Sequence, residues 1–146
     1  FPDVDFHIGA QTSMGPKLTC LEDKRNVHLY PGIRQEKYQE LLRNCFIYLD
    51  LNYGSEVSDV TLDAIENGQL LFGLESTVHR HYYKDLPTVY TSLEELEQGF
   101  RQLIQQAEFY PKVLKSQKEV LKLAEREEIL AFFTRLEGEK DDDLHL

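Results

Sequence analysis

The stretch Ile47-Tyr48-Leu49-Asp50-Leu51-Asn52-Tyr53-Gly54-Ser55-Glu56 decides the fold. Its first five residues belong to a short apolar run over residues 45–51, which is typical of a strand buried on both faces. The turn that follows leads directly into a segment with helical periodicity, predicted as a helix over residues 56–67, and Gly68 can supply the left-handed residue that commonly ends a helix. A buried strand that passes through a turn into a helix predicts a parallel sheet with crossover helices.

Apolar runs alternate with helical segments along the rest of the chain. A helix is predicted after Arg34, and another begins at the capping box Ser92-x-x-Glu95. Pro111 separates that helix from a charged helix over residues 112–136. This order predicts an α/β fold with a Rossmann-like parallel sheet, helices on both faces and a C-terminal helical extension. The other predicted strands cover residues 4–10, 26–30, 69–74 and 88–90.

Composition limits the classes of function. Hydrophobic residues make up 41% and charged residues 29% of the chain, which is typical of a folded domain. A net charge of -10 with no basic patch argues against nucleic acid binding. Cys20 and Cys45 are too few for a disulfide scaffold, so a reducing, cytoplasmic compartment is predicted. No apolar run approaches the roughly 20 residues of a membrane span.

Residues 1–136 are predicted to form one domain, and the acidic residues 137–146 are predicted to be a solvated tail. The chain does not begin with Met, and its first residues run directly into an apolar segment. We therefore expect it to be a piece of a longer polypeptide.

Polar residues that follow the strands are the candidate site, because open parallel sheets bind ligands beyond the carboxyl ends of their strands. The backbone amides near Ser55 open a helix and can receive an anion such as a diphosphate. The alternative is that Ser55 only caps the helix and Glu56 only favours its positive end. Asp59, Asp63 and Glu66 continue the acidic side of this helix, which is typical of a solvated face rather than of a paired-carboxylate hydrolase.

His79-Arg80-His81 has the look of a metal-binding pair. A zinc site needs three or four ligands, and no set of cysteines or carboxylates completes this one. The segment is therefore predicted to be a polar loop, and no metal is predicted. No P-loop, nucleophile elbow or dinucleotide glycine fingerprint occurs in the sequence.

Three motifs, taken in order, resemble the donor-binding half of GT-B glycosyltransferases. They are most similar to the bacterial pair that glycosylates serine-rich adhesins for the accessory secretion pathway. The resemblance covers residues 4–111 and implies half of a GT-B fold, in which residues 4–10 match the second strand and the first strand is not in this chain. The motifs are Ile47-Tyr48-Leu49-Asp50-Leu51-Asn52-Tyr53-Gly54-Ser55-Glu56-Val57, Leu62-Asp63-Ala64-Ile65-Glu66-Asn67-Gly68 and Leu71-Phe72-Gly73-Leu74-Glu75-Ser76-Thr77-Val78-His79.

In active members of that family, two glutamates eight positions apart flank the sugar-nucleotide. The resemblance places Ser55 at the first of these positions and Asp63 at the second. Ser55 supplies no carboxylate, so no catalytic residue is predicted in this chain. The resemblance implies a UDP-sugar as ligand, no other cofactor, and these substrate-binding residues: Thr12, Asn52, Tyr53, Gly54, Ser55, Glu56, Asp63 and Thr77.

Two functions are predicted from this resemblance. The first is a C-terminal nucleotide-sugar-binding domain of a bacterial glycosyltransferase-like protein in protein O-glycosylation. The alternative is a non-catalytic module that stabilises a partner glycosyltransferase subunit, which the serine at position 55 and the acidic charge favour. A flavodoxin-like protein is disfavoured, because the sequence has neither an acid cluster with a distal lysine nor an aromatic pair suited to a flavin.

Overall fold

The computed structural model describes residues 1–54 and 59–142. The chain divides into two compact units, Phe1–Cys45 and Phe46–Leu146. Each unit contains a parallel sheet, one of two strands and one of three. The predicted α/β class with parallel strands and a long C-terminal helix is confirmed.

The first unit is a two-stranded parallel sheet with two helices. Its strands pair in register, with Phe6 opposite Val27 and His7 opposite His28. On the exposed side the rings of His7 and His28 stack with their centroids 4.8 Å apart, and His7 Nδ1 lies 2.9 Å from the Tyr30 hydroxyl. The elements are β1 (Phe6–Gly9), α1 (Pro16–Thr19), β2 (Val27–Tyr30) and α2 (Gln35–Asn44).

Because His7 and His28 are stacked, we expect the first unit to lose stability in acid. Partial burial, and then the neighbouring His28 ring, lower the pKa of His7 below its ordinary value of about 6.5. As the pH falls, His7 is therefore protonated in the unfolded chain before it is protonated in the folded chain. Stability falls as the pH drops from about 6.5 through the lower pKa of the folded state. Urea unfolding across this range is the measurement. His7→Gln is expected to flatten the dependence, whereas the exposed His81→Gln in the second unit is expected to leave it unchanged.

The second unit places three parallel strands in the order β3-β4-β5. Ile47 of β3 lies opposite Leu70 of β4, and Gly73 of β4 lies opposite Val89 of β5. Two short 3-10 helices, His81–Asp85 and Ala107–Phe109, connect the longer elements. These are β3 (Ile47–Asp50), α3 (Val60–Glu66), β4 (Leu70–Leu74), β5 (Val89–Tyr90), α4 (Leu93–Gln105) and α5 (Tyr110–Asp142).

The core of the second unit is centred on β4, whose five residues are all buried. On one side Phe72 packs edge-to-face on Phe100 of α4, with the ring centroids 5.5 Å apart. Leu71 packs in a cluster with Val78, Tyr83 and Leu86. A strand buried on both faces is what the continuous apolar run at residues 69–74 predicts.

Two side chains bond backbone groups at the start of β4, at positions that the two-residue strand β5 does not reach. Gln117 of α5 is fully buried, and its Oε1 accepts from the Leu71 amide at 2.8 Å while its Nε2 donates to the Gln69 carbonyl at 2.9 Å. The Thr88 hydroxyl donates to the Leu71 carbonyl. These contacts satisfy buried backbone groups that a two-residue strand cannot reach.

Helix α4 begins at the capping box that the sequence predicts. The Ser92 hydroxyl accepts from the Glu95 amide at 3.2 Å, and the Glu95 carboxylate accepts from the Thr91 hydroxyl at 2.7 Å. The Thr91 hydroxyl and amide, in that order, lower the pKa of Glu95. The stability that this contact contributes is therefore present above the ordinary pKa of glutamate and is lost as the pH falls through the lower pKa of the folded state.

Ser92→Ala is expected to lower the free energy of unfolding by about 1 kcal/mol, because the Glu95 amide loses its acceptor. Urea denaturation of the chain measures the change. Ser92→Asn is the matched control, since asparagine is also a good N-cap residue and should retain most of the stability. Equal losses in the two variants would show that the capping bond is not responsible.

The structure differs from the predictions in several places. One sheet was expected and two are found, because apolar runs specify strands but not which strands pair. Helix α5 continues to Asp142, beyond the predicted end at residue 136 and into the expected acidic tail. Leu93 and Ile104, which the helical spacing of apolar residues in α4 predicts to be in the core, are exposed. Helix α3 begins at Val60 among the described residues, and the predicted start at Glu56 lies outside them. None of the helices within residues 1–54 and 59–142 combines the length and apolar character that a membrane span requires.

Candidate functional site

The candidate site lies at the carboxyl ends of β3 and β4 in the second unit. Strand β3 ends at Asp50 and strand β4 ends at Leu74. The segment after β4 turns back over the end of β3, where Val78 packs against Gly73: a Cβ added to that glycine would lie 3.0 Å from a Val78 methyl group and 3.2 Å from the Asp50 carbonyl oxygen. A side chain at position 73 would therefore push the two segments apart.

Residues 52–54 form a compact turn after β3, which we call the 52–54 turn. The Gly54 amide donates to the Asn52 Oδ1 at 2.9 Å, the arrangement by which asparagine commonly closes a turn. Tyr53 is 73% exposed. Ser55 and Glu56, the other predicted site residues in this stretch, lie outside the described residues. The turn thus presents one exposed aromatic ring at the sheet edge.

Thr77 joins the ends of the two strands. Its side chain is buried, and its hydroxyl donates to the Asp50 carbonyl at 2.6 Å and accepts from the Leu74 amide at 3.1 Å. The register of β3 and β4 would otherwise bring this amide and this carbonyl together as the next bond of the ladder. Thr77 therefore has a structural task at this edge, and contact with a substrate stays a prediction.

His79 connects the same edge to the 52–54 turn. Its Nε2 lies 2.8 Å from the Gly54 carbonyl oxygen, which can only accept, so Nε2 carries a proton. Its Nδ1 lies 3.8 Å from the Asp50 Oδ2, and the Asp50 side chain is buried at the strand end. The sequence interpretation of residues 79–81 as a polar loop missed this contact. Proximity to Thr77 in the segment after β4 was the available signal.

The remaining predicted residues belong to other elements. Asp63 is half-buried on α3 of the second unit, and Asp59, one turn earlier, lies 3.7 Å from Arg80. Thr12 belongs to the first unit, where its carbonyl accepts from the Gly32 amide at 3.0 Å. The structure therefore brings residues 52–54 and Thr77 to one edge. The described residues contain no group of three or more ligands suited to a metal ion.

Comparisons with known proteins find one matching family and several similar bacterial proteins. The model of a family described as "GftB/GlyA-F C-terminal domain" matches residues 1–117. The UDP-N-acetylglucosamine--peptide N-acetylglucosaminyltransferase stabilizing protein GtfB of Streptococcus parasanguinis is 45% identical over 74 residues, which cover 51% of this chain and 17% of that protein. Glycosyltransferase GlyF of Streptococcus pneumoniae serotype 4 (strain ATCC BAA-334 / TIGR4) is 34% identical over 76 residues, which cover 52% and 19%.

Among solved structures, the crystal structure of a GtfA/B complex bound to UDP and GlcNAc resembles this chain. Its TM-score is 0.68 at 27% identity, and the likeness covers 82% of this chain and 27% of that one. The matched region spans less than a fifth of the length of the curated relatives named above. The likeness that the three sequence motifs predict is therefore confirmed at the level of the family and of the fold.

Proposed function

The chain belongs to the GftB/GlyA-F C-terminal domain family, and from that premise we propose that it is the nucleotide-sugar-binding-type domain of a non-transferring subunit in bacterial protein O-glycosylation. In this proposal the subunit stabilises a partner glycosyltransferase. The observation that carries the proposal is the 45% identity to a protein described as stabilizing a peptide N-acetylglucosaminyltransferase. The serine at position 55, where the family resemblance places a glutamate in active members, supports it further.

The ligand proposed for the site is a UDP-sugar, bound at the 52–54 turn and the carboxyl ends of β3 and β4. Open parallel sheets bind nucleotides at this edge. The exposed Tyr53 ring offers a surface on which a base or sugar can stack. No cofactor other than the UDP-sugar belongs to the proposal. Cys20 and Cys45 are free thiols, which supports a cytoplasmic location, where thiols stay reduced.

The stabilising role is tested by co-expressing the natural protein with a glycosyltransferase of the same organism. The thermal midpoint of the transferase and the transfer of N-acetylglucosamine to a serine-rich peptide are measured with and without the natural protein. A raised midpoint, with no transfer by the natural protein alone, is the expected result. Transfer by the natural protein alone would overturn the stabilising role.

A second candidate is the donor half of an active transferase, which the 34% identity to glycosyltransferase GlyF favours. The same transfer assay separates the two candidates. Calorimetric titration of the natural protein with UDP tests the ligand for both. No heat of binding at millimolar UDP would remove the donor site from either proposal.

A further inference from the structure

The His79 ring lies between two different parts of the strand edge. Its Nε2 donates to the Gly54 carbonyl of the 52–54 turn at 2.8 Å. Its other nitrogen faces the buried Asp50 carboxylate at 3.8 Å. The two residues that His79 contacts are four positions apart in sequence, one at the end of β3 and one in the turn that follows.

We propose that His79 is a positioning residue that fastens the 52–54 turn to the end of β3 and so holds the donor edge in the shape that receives a nucleotide. The binding part of this inference rests on the proposed function. The fastening itself concerns only the contacts among His79, Gly54 and Asp50.

The geometry of the turn explains why such a contact is effective. The bond from the Gly54 amide to Asn52 is local and does not tie the turn to the sheet. Tyr53 is largely exposed and adds little packing. The bond from His79 spans 25 positions in sequence, so it joins the turn to the segment that follows β4.

Asp50 lies on the other side of the His79 ring. Its carboxylate is buried at the end of β3 and faces the ring nitrogen that does not bond Gly54. Donation from Nε2 to the Gly54 carbonyl fixes which ring nitrogen faces the turn, and therefore which one lies near the end of β3. The adjacent Arg80 is engaged elsewhere, with Asp59 at 3.7 Å and the Tyr82 hydroxyl at 2.9 Å.

The test uses the natural full-length protein and two variants at position 79. His79→Phe keeps a ring but removes the donor, and His79→Gln restores a donor on a different side chain. His81→Phe is the matched control, because His81 is an exposed histidine in the same segment. Hydrogen–deuterium exchange is followed by mass spectrometry in peptides that contain residues 52–54, and UDP affinity is measured by calorimetry.

His79→Phe is expected to speed exchange at residues 52–54 and to weaken UDP binding about tenfold, the equivalent of one ordinary hydrogen bond. His79→Gln should partly restore slow exchange at residues 52–54 and UDP affinity. The thermal midpoint of each variant at position 79 should change as little as that of His81→Phe. Equal exchange at residues 52–54 in His79→Phe and His81→Phe would overturn the fastening. Faster exchange with unchanged UDP affinity would overturn the role in binding.

Failure of the proposed function is distinguishable from failure of this inference. If the unmodified protein does not bind UDP, the donor site falls and with it the role of His79 in binding. The exchange comparison between His79→Phe and His81→Phe then still decides whether His79 fastens the turn.

Discussion

Replacing Gln117 by leucine is expected to lower the free energy of unfolding of the chain by about 2–4 kcal/mol. The side chain is fully buried, so neither the Leu71 amide nor the Gln69 carbonyl can turn to water when the amide group is lost. Each buried and unsatisfied backbone group costs about 1–3 kcal/mol, and the added apolar burial of leucine offsets part of that sum. Urea unfolding followed by circular dichroism measures the change.

Gln105→Leu is the matched control for Gln117→Leu. Gln105 lies at the end of α4 with an exposed side chain. The same substitution of glutamine by leucine should therefore change the free energy of unfolding by no more than about 0.5 kcal/mol. Similar stabilities for the two variants would contradict the role of Gln117. Loss of the Gln117 amide group also removes a polar contact that ties α5 to β4.

The elements that the sequence predicts well are those whose signal is local. The apolar run at residues 69–74 predicts the buried strand β4, and the Ser92-x-x-Glu95 pattern predicts the start of α4. Both depend on neighbours a few positions apart, which a single sequence displays. The turn after β3 was predicted for the same reason, since an asparagine and a glycine directly follow a buried run.

The contacts that the sequence does not predict join distant positions. Gln117 bonds a residue 46 positions away, and no periodicity marks a glutamine that faces the sheet rather than water. Because the apolar residues of 112–136 are irregularly spaced, the sequence does not indicate which side of α5 faces the sheet. His79 was weighed as a metal ligand and then predicted to lie in a polar loop. Its contact with Gly54 was not predicted, because the distance from its ring to Gly54 depends on how the segment after β4 turns back. The division into two sheets is unpredictable for the same reason, since pairing is a property of the folded chain.

The sequence predicts where some of the candidate site residues lie, and their role in binding stays a prediction. Residues 52–54 and Thr77 do lie at one strand edge, as the rule for open parallel sheets requires. The prediction that Thr77 contacts a substrate came from the family resemblance. The structure adds that the hydroxyl already bridges two backbone groups, a task that a motif cannot display.

Thr77→Val is expected to lower the free energy of unfolding by about 2–4 kcal/mol, although the two side chains have nearly the same shape. The hydroxyl lies between the Leu74 amide and the Asp50 carbonyl and replaces a bond of the β3–β4 ladder. Valine leaves both groups buried without this partner. Because the strand ends also carry the 52–54 turn, the same variant should weaken UDP binding in the natural protein. Urea unfolding and calorimetric titration provide the two measurements.

Thr77→Ser separates the hydroxyl from the methyl group. Serine keeps the bridge and loses one buried methyl, which costs about 1 kcal/mol. If the bridge is the important feature, serine should be clearly more stable than valine and should retain UDP affinity. The reverse order of stability would show that packing of the methyl group, and not the bridge, holds the ends of β3 and β4 together. Serine with full stability but no UDP affinity would instead assign the Thr77 methyl group to ligand contact.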